Sequence, residues 1–388
     1  MKKRFAAGLV LFTLMPLFSE EDCRVAVREI ADGVAEYSLS NGLFEIKCVP
    51  ETSALISGLT SRPENREMIH PLECIVEKDD LLPTRCHTNT TGFRETAVGI
   101  KLNIYTKYRP DAPACTGETA ELVMRSRGFY KWNIDAEKKI VLRKGETRAK
   151  TSLTLTAAAD MTAPIHIWIN GVASMGEKER DIVMLPVRNV SENRMGLAMA
   201  AFSCNGVYFD QAGSLDVRAA ANAPWIAQTS PERPGVLAVR LEKCFVEGGV
   251  LYSWKNGNSP IHTAEAIFSP LKLKKGETRT FAVEYLYFEK LTGLRDTVGP
   301  FGLDREPRAV LVAAAAPVPA GVMTLNWRAP DGRTGKLGDF PLPPLNPREF
   351  VRIDLEKFSL PEKCTLFGTL PGGLAFELPE RIDSILER

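Results

Sequence analysis

The sequence has almost no net charge. Its 49 lysines and arginines are matched by 48 aspartates and glutamates. That balance argues against a nucleic-acid partner, which selects a basic face. Histidine is scarce: His70, His87, His166 and His262 are the four present, and none stands in an HExxH or similar ligand spacing. The eight cysteines form no CxxC pair, so no zinc cage is encoded. No metal and no other cofactor is expected. GxSxG elements and nucleophilic cysteine motifs are also missing. Helical periodicity is nearly absent beyond the first residues. After them, no apolar run reaches the ~20 residues a membrane-spanning helix requires.

The beginning of the chain stands apart. Lys2, Lys3 and Arg4 precede a 13-residue uncharged apolar run, Ala6 to Phe18, and Ser19, Glu20, Glu21 and Asp22 follow it. A charged start, a short apolar stretch and a polar exit are the plan of a secretory signal peptide. Residues 1–22 are therefore assigned to a signal, and the mature chain to a secreted or periplasmic location. Glu21 and Asp22 stand where a lipobox before Cys23 would need small residues, which favours a released protein. An oxidising compartment permits disulfides. Cys74 and Cys86 would close a short loop, although spacing alone does not set connectivity.

What fills the remaining length is strand pattern. Glu36 to Val49 reads as strand, turn, strand, with Asn41-Gly42 at the turn. Gly99 to Lys107, Thr151 to Ala157 and Thr280 to Phe288 alternate with period two. LRKGETR at Leu142–Arg148 is echoed by LKKGETR at Leu273–Arg279. Each precedes an alternating run, and a glycine among charges suits a tight turn there. Glycine and proline cluster from Thr292 to Arg308. Beyond that stretch come an apolar run (Ala309 to Ala316), an alternating run (Val322 to Arg328), a turn at Asp331-Gly332 and a further strand from Phe350 to Leu355. Pro379 to Arg388 reads as a short helix or a fray. The fold class is all-β, with a large β-sandwich over 23–304 followed by a small one over 305–388.

Three stretches together resemble the galactose mutarotase-like β-supersandwich. Ser40–Leu59 is similar to its opening strands, and Ser269–Phe288 to its closing hairpin. Ile165–Val172 (IHIWINGV) is similar to the segment in which a histidine, an aromatic and an asparagine alternate; here these are His166, Trp168 and Asn170. The likeness spans about residues 30–290 and implies a sugar-facing cleft. It also implies a histidine acid, matched by His166, and a glutamate base. Glu242 resembles that glutamate locally but stands too far upstream, whereas Glu265 is better placed in a different local context. His87 lies in a stretch that does not match the family's other catalytic histidine. The 305–388 sandwich is identified as an immunoglobulin-like accessory module.

The residues carry a reading of their own. Strand alternation sends Ile165, Ile167 and Ile169 one way and His166, Trp168 and Asn170 the other. An imidazole, a flat aromatic and an amide on one face suit a polar ring compound with apolar faces. Arg240 and Glu242 are two apart, placing them on one strand face as an exposed ion pair or a hydroxyl-binding pair. Trp254, in a turn-rich stretch, would stack at a cleft rim or plug the core. His262 and Glu265, three apart, need not share a face. These residues lead to an exported carbohydrate-binding protein. The alternatives are an aldose 1-epimerase-like or other carbohydrate-active enzyme, and a structural cell-envelope protein.

Overall fold

A computed structural model describes residues 22–69, 77–79, 82–85, 92–98, 106–129, 133–175, 181–194, 200–210, 215–255 and 262–383. The proposed signal up to Glu21, the Cys74–Cys86 pair, His70, His87 and most of the Gly99–Lys107 run lie outside these residues. The chain is all-β, and a 3-10 turn at Lys243–Val246 is among its described elements. The six described cysteines (Cys23, Cys48, Cys115, Cys204, Cys244 and Cys364) are free thiols. Among the described residues no helix is long and apolar enough to cross a membrane.

Antiparallel pairing builds two layers. The first runs Gly92–Val98, His166–Val172, His262–Ile267, Val250–Lys255, Leu215–Ala221, Ile182–Arg194. The second runs Thr119–Arg127, Ile134–Arg143, Arg148–Ala157, Thr278–Phe288, Arg233–Leu241, Trp225–Ser230. The long strand Ile182–Arg194 belongs to both. Its first residues pair with Trp225–Ser230, and after a bulge between Val187 and Asn189 it continues along Leu215–Ala221. A bulge bends a strand and raises its twist, which lets one chain segment turn the corner between the layers.

The main core fills the space between them. Ile167, Ile169, Ala264, Ala266, Leu251 and Val217 come from the first layer, and Leu153, Leu155, Val283, Tyr285, Leu237 and Val239 from the second. Every second residue is thus committed inward, and the alternate residues form the two outer faces. Gly171 holds the first layer together at a close approach. A Cβ there would run into the Phe93 ring and the Ala264 carbonyl on the two flanking strands. Gly171→Ala should therefore cost about 1–3 kcal/mol through overpacking, a loss that urea unfolding would measure.

The turns follow the sequence. Gly42, Gly145 and Gly276 all adopt positive φ. Asn41 is buried in its own turn: its Oδ1 accepts the Leu43 and Phe44 N–H groups at 3.1 and 2.8 Å, and its Nδ2 donates to the Glu146 carbonyl at 2.7 Å. The two KGET turns sit at opposite ends of one antiparallel pair, because Arg148 lies across from Leu286 and Thr156 from Thr278.

A smaller sandwich follows, beginning within the glycine- and proline-rich stretch. One sheet contains Asp296–Val298, Phe301–Glu306, Ala309–Ala314 and Phe350–Asp354; the other contains Thr334–Leu342, Gly321–Arg328, Thr365–Leu370 and Leu374–Leu378. Leu303, Val310, Val312, Met323, Leu325 and Leu366 pack between them. The Ala309–Ala314 strand is buried on both faces, which explains its unbroken apolar run. Val310 and Val312 face this small core. Leu311 and Ala313 join Val236, Ala238, Leu286 and Phe288 on the outer face of the second large layer.

The reading of Pro379 to Arg388 as a short helix or a fray is corrected over Arg381–Asp383, and residues 384–388 lie outside the described residues. Arg381–Asp383 forms a strand, parallel to Ala200–Asp210. The Val207 N–H donates to the Glu380 carbonyl at 3.0 Å, and Ile382 packs against the main core. Gly206 makes room for this approach, since a Cβ there would meet the Glu380 carbonyl and Ile382. The available edge of a long strand outweighs the local helix signal.

Candidate active site

The outer face of the first layer collects polar and aromatic side chains along one row. Register places Arg94 opposite Asn170, Tyr252 opposite Glu265, and Arg218 opposite Tyr252. Asn170 meets Glu265 across the adjoining strands, donating from Nδ2 to Oε2 at 3.0 Å. Trp168 and Trp254 lie two residues along from Asn170 and Tyr252 and share their face.

Glu265 is the centre of this row. It is 2% exposed. Burial pushes its carboxyl up to about 7, against the opposing pull of Thr263, Asn170, Trp168 and Arg94. Trp168 stands edge-on to Tyr252, with centroids 5.8 Å apart and planes at 79°. Its buried indole Nε1 is near enough to Glu265 to favour the carboxylate, yet no acceptor among the described residues meets it at full hydrogen-bond geometry. The Arg218 guanidinium lies 5.3 Å from the Tyr252 ring centroid. Burial, with Asp216 and Glu265 nearby, raises the Tyr252 hydroxyl to about 12, so it is a hydrogen-bond donor at neutral pH. The face therefore offers a titratable carboxyl, amide and hydroxyl donors, and aromatic rings within one patch.

The sequence candidates divide between this face and elsewhere. Trp168, Asn170 and Glu265 come together on it. Trp254 also belongs to it, on the Val250–Lys255 strand rather than in a turn, with its N–H donating to Thr263 Oγ1 at 2.9 Å. His166 shares the face but stands at its far end, with Nδ1 3.0 Å from the Phe268 carbonyl. Four residues of strand separate it from Asn170, or ~13 Å.

Arg240 and Glu242 are not brought to the Glu265 face. Arg240 alternates with Val239 and Leu241, which point into the main core, so it lies on the outer face of the second layer with the core between it and Glu265. It pairs with Glu284 and donates to the Gly299 carbonyl. Glu242 lies beyond the strand end, as the residue capping the Lys243–Val246 turn, and pairs with Arg279. The two do not pair with each other as their spacing suggested, because each has a partner on the neighbouring Thr278–Phe288 strand.

Arg94, Tyr252 and Arg218 were missed. Each is unremarkable in its own segment and gains meaning only from cross-strand register. A buried group on the core side was missed as well. Ser253 Oγ lies 2.9 Å from both Asp210 Oδ2 and His262 Nε2, and His262 Nδ1 lies 2.9 Å from the Asp181 carbonyl. This is a hydroxyl, an imidazole and a carboxylate, but Ser253, His262 and Asp210 are 0, 2 and 0% exposed. Ser253 also donates to the carboxylate. A sealed hydroxyl with that orientation is a core network rather than a nucleophile. Among the described residues no three His, Cys, Asp or Glu gather as a metal-ligand set.

By sequence, the chain matches no family model and no curated protein. By structure, it is similar to a galactose mutarotase-like protein from Clostridium acetobutylicum. The TM-score is 0.53 at 9% identity, covering 69% of this chain and 98% of that one. A TPR-domain containing protein from Parabacteroides distasonis matches with a TM-score of 0.50 at 12% identity, covering 66% of this chain and 47% of that one. The fold shared with these structures thus extends over about two thirds of the chain.

Proposed function

We propose that the protein binds carbohydrate on the outer face of its first layer. The observation that carries this reading is the pair of buried Glu265 and half-buried Asn170, beside Trp168, Tyr252 and Trp254 on one face. Sugars present C–H faces to aromatic rings and hydroxyls to carboxylates and amides, and ligand sites combine these elements. The name of the galactose mutarotase-like neighbour points to the same ligand class. In this reading the protein is exported, its first residues are a signal peptide, and the C-terminal sandwich is an immunoglobulin-like accessory module.

A second reading is favoured by one observation, the Glu265 carboxyl held near 7. A general base works best with a pKa near the operating pH, so Glu265 is suited to take a proton from an anomeric hydroxyl in an aldose 1-epimerase-like reaction. His166 as its acid is less suited, since ~13 Å of strand is too long to bracket one sugar ring.

A glycan-binding screen run beside a mutarotation assay tests both. Binding is expected for the wild type and for His166→Ala, with a loss of at least tenfold in Trp168→Ala. Mutarotation at the uncatalysed rate would remove the second reading. If the wild type binds no glycan, the first falls.

A further inference from the structure

A second cleft lies on the far side of the main core from Glu265, where the two sandwiches and the Arg381–Asp383 strand meet. Its volume is about 670 Å³, within the range of small-molecule pockets. Four cations line it: Arg295, Arg305, Lys363 and Arg381. Two of the guanidiniums lie over the same ring, Phe209, at 5.5 Å for Arg295 and 4.2 Å for Arg381.

Four carboxylates also line the cleft, and their pairing decides its character. Asp383 accepts from Arg381 Nε at 2.6 Å. Glu306 is taken by Arg352. Asp304 Oδ1 accepts the Arg305 N–H at 2.8 Å and lies 3.6 Å from Arg295 Nε. Glu380 is the fourth. Arg305 and Lys363 have no carboxylate partner among the described residues; the Arg305 guanidinium donates to the Cys364 carbonyl and sulfur.

Arg295 points to a ligand. It is 8% exposed, yet its Nε makes no hydrogen bond, while Nη1 donates to the Pro379 carbonyl at 2.9 Å. A buried charged donor left unsatisfied is costly. Burial, with Arg381 and Arg305 close by, lowers its pKa to about 10 despite Asp304. An oxyanion would relieve both strains, and guanidinium groups suit carboxylate, sulfate and phosphate through paired N–H donors. The cleft is larger than a bare oxyanion requires.

We propose that this cleft is a second binding site, for a small molecule carrying a carboxylate, sulfate or phosphate group, held by Arg295, Arg305 and Lys363.

Calorimetric titration of the full chain at matched ionic strength tests this with sulfate, phosphate, D-glucuronate, D-glucose 6-phosphate, neutral D-glucose and chloride. Saturable binding of at least one oxyanion is expected, with none for chloride. Lys363→Gln and Arg305→Gln should each weaken it at least tenfold. Lys363 is exposed, so its replacement leaves the fold intact even if Arg305→Gln does not. Glu265→Gln should leave oxyanion binding unchanged, which separates this site from the sugar face. Tighter binding of glucuronate or glucose 6-phosphate than of sulfate and phosphate assigns the site to a sugar-borne anion. Equal binding assigns it to the free ions. An absence of saturable binding, or affinity unchanged in Lys363→Gln, overturns the proposal.

Discussion

Glu265→Gln should flatten a pH dependence of stability that the wild type shows between about pH 4.5 and 7. The folded carboxyl titrates near 7, against an unperturbed value of 4.5. Within that window the folded state holds a proton that the unfolded state has released. Wild-type stability therefore falls as pH rises and levels off above about 7. The accumulated loss is on the order of 3 kcal/mol, at about 1.4 kcal/mol per pH unit. Glutamine keeps the shape and the contact with Asn170 while removing the titration. The variant should match the wild type near pH 5 and exceed its stability near pH 8. Urea unfolding at both values reads the difference, and parallel pH profiles would show that Glu265 is not buried as described. The same carboxylate accepts ligand hydroxyls more strongly when charged. Wild-type sugar affinity should therefore rise from pH 6 to 8, while the variant stays weak and flat. Stability given up at Glu265 would then be the counterpart of function, a known pattern at sites that bury charge.

The second large effect concerns a charge pair inside the main core. Lys138 is fully buried and Glu95 is 4% exposed, with Nζ to Oε2 at 2.5 Å; Nζ also donates to the Ala54 carbonyl at 3.1 Å. Removing one member leaves the other charged and buried. Lys138→Met should cost about 3–5 kcal/mol, and Glu95→Leu a similar amount. Removing both removes the desolvation penalty as well, so the double variant should recover most of the loss. Chemical unfolding of all four proteins closes a double-mutant cycle. Single losses that simply add would show that the two side chains are not coupled.

Local pattern revealed much of this fold because much of it is local. The Asn41-Gly42 turn, both KGET turns and the inward isoleucines beside His166, Trp168 and Asn170 follow from a few adjacent residues. The apolar run at Ala309–Ala314 was visible too, although its burial on two faces was not. The site was legible only in part, because choosing between Glu242 and Glu265 requires cross-strand register. That register is set by non-local pairing, and it brings Arg94, Tyr252 and Arg218 beside Glu265 while sending Glu242 to Arg279. The Lys138–Glu95 pair escaped for the same reason. Lys138 occupies an inward position in a strand whose other inward residues are apolar, and nothing near it in sequence names its partner.

The Arg381–Asp383 strand fixes an order of events during synthesis. It pairs in parallel with Ala200–Asp210 but follows the entire second sandwich in the chain. The first sandwich therefore cannot complete its edge until the second has been made. Domains on a ribosome usually close one after another; here the later-made segment returns to finish the earlier unit. Until it does, Arg381 is missing from the cleft beside Phe209 and the Gly206 edge stays open.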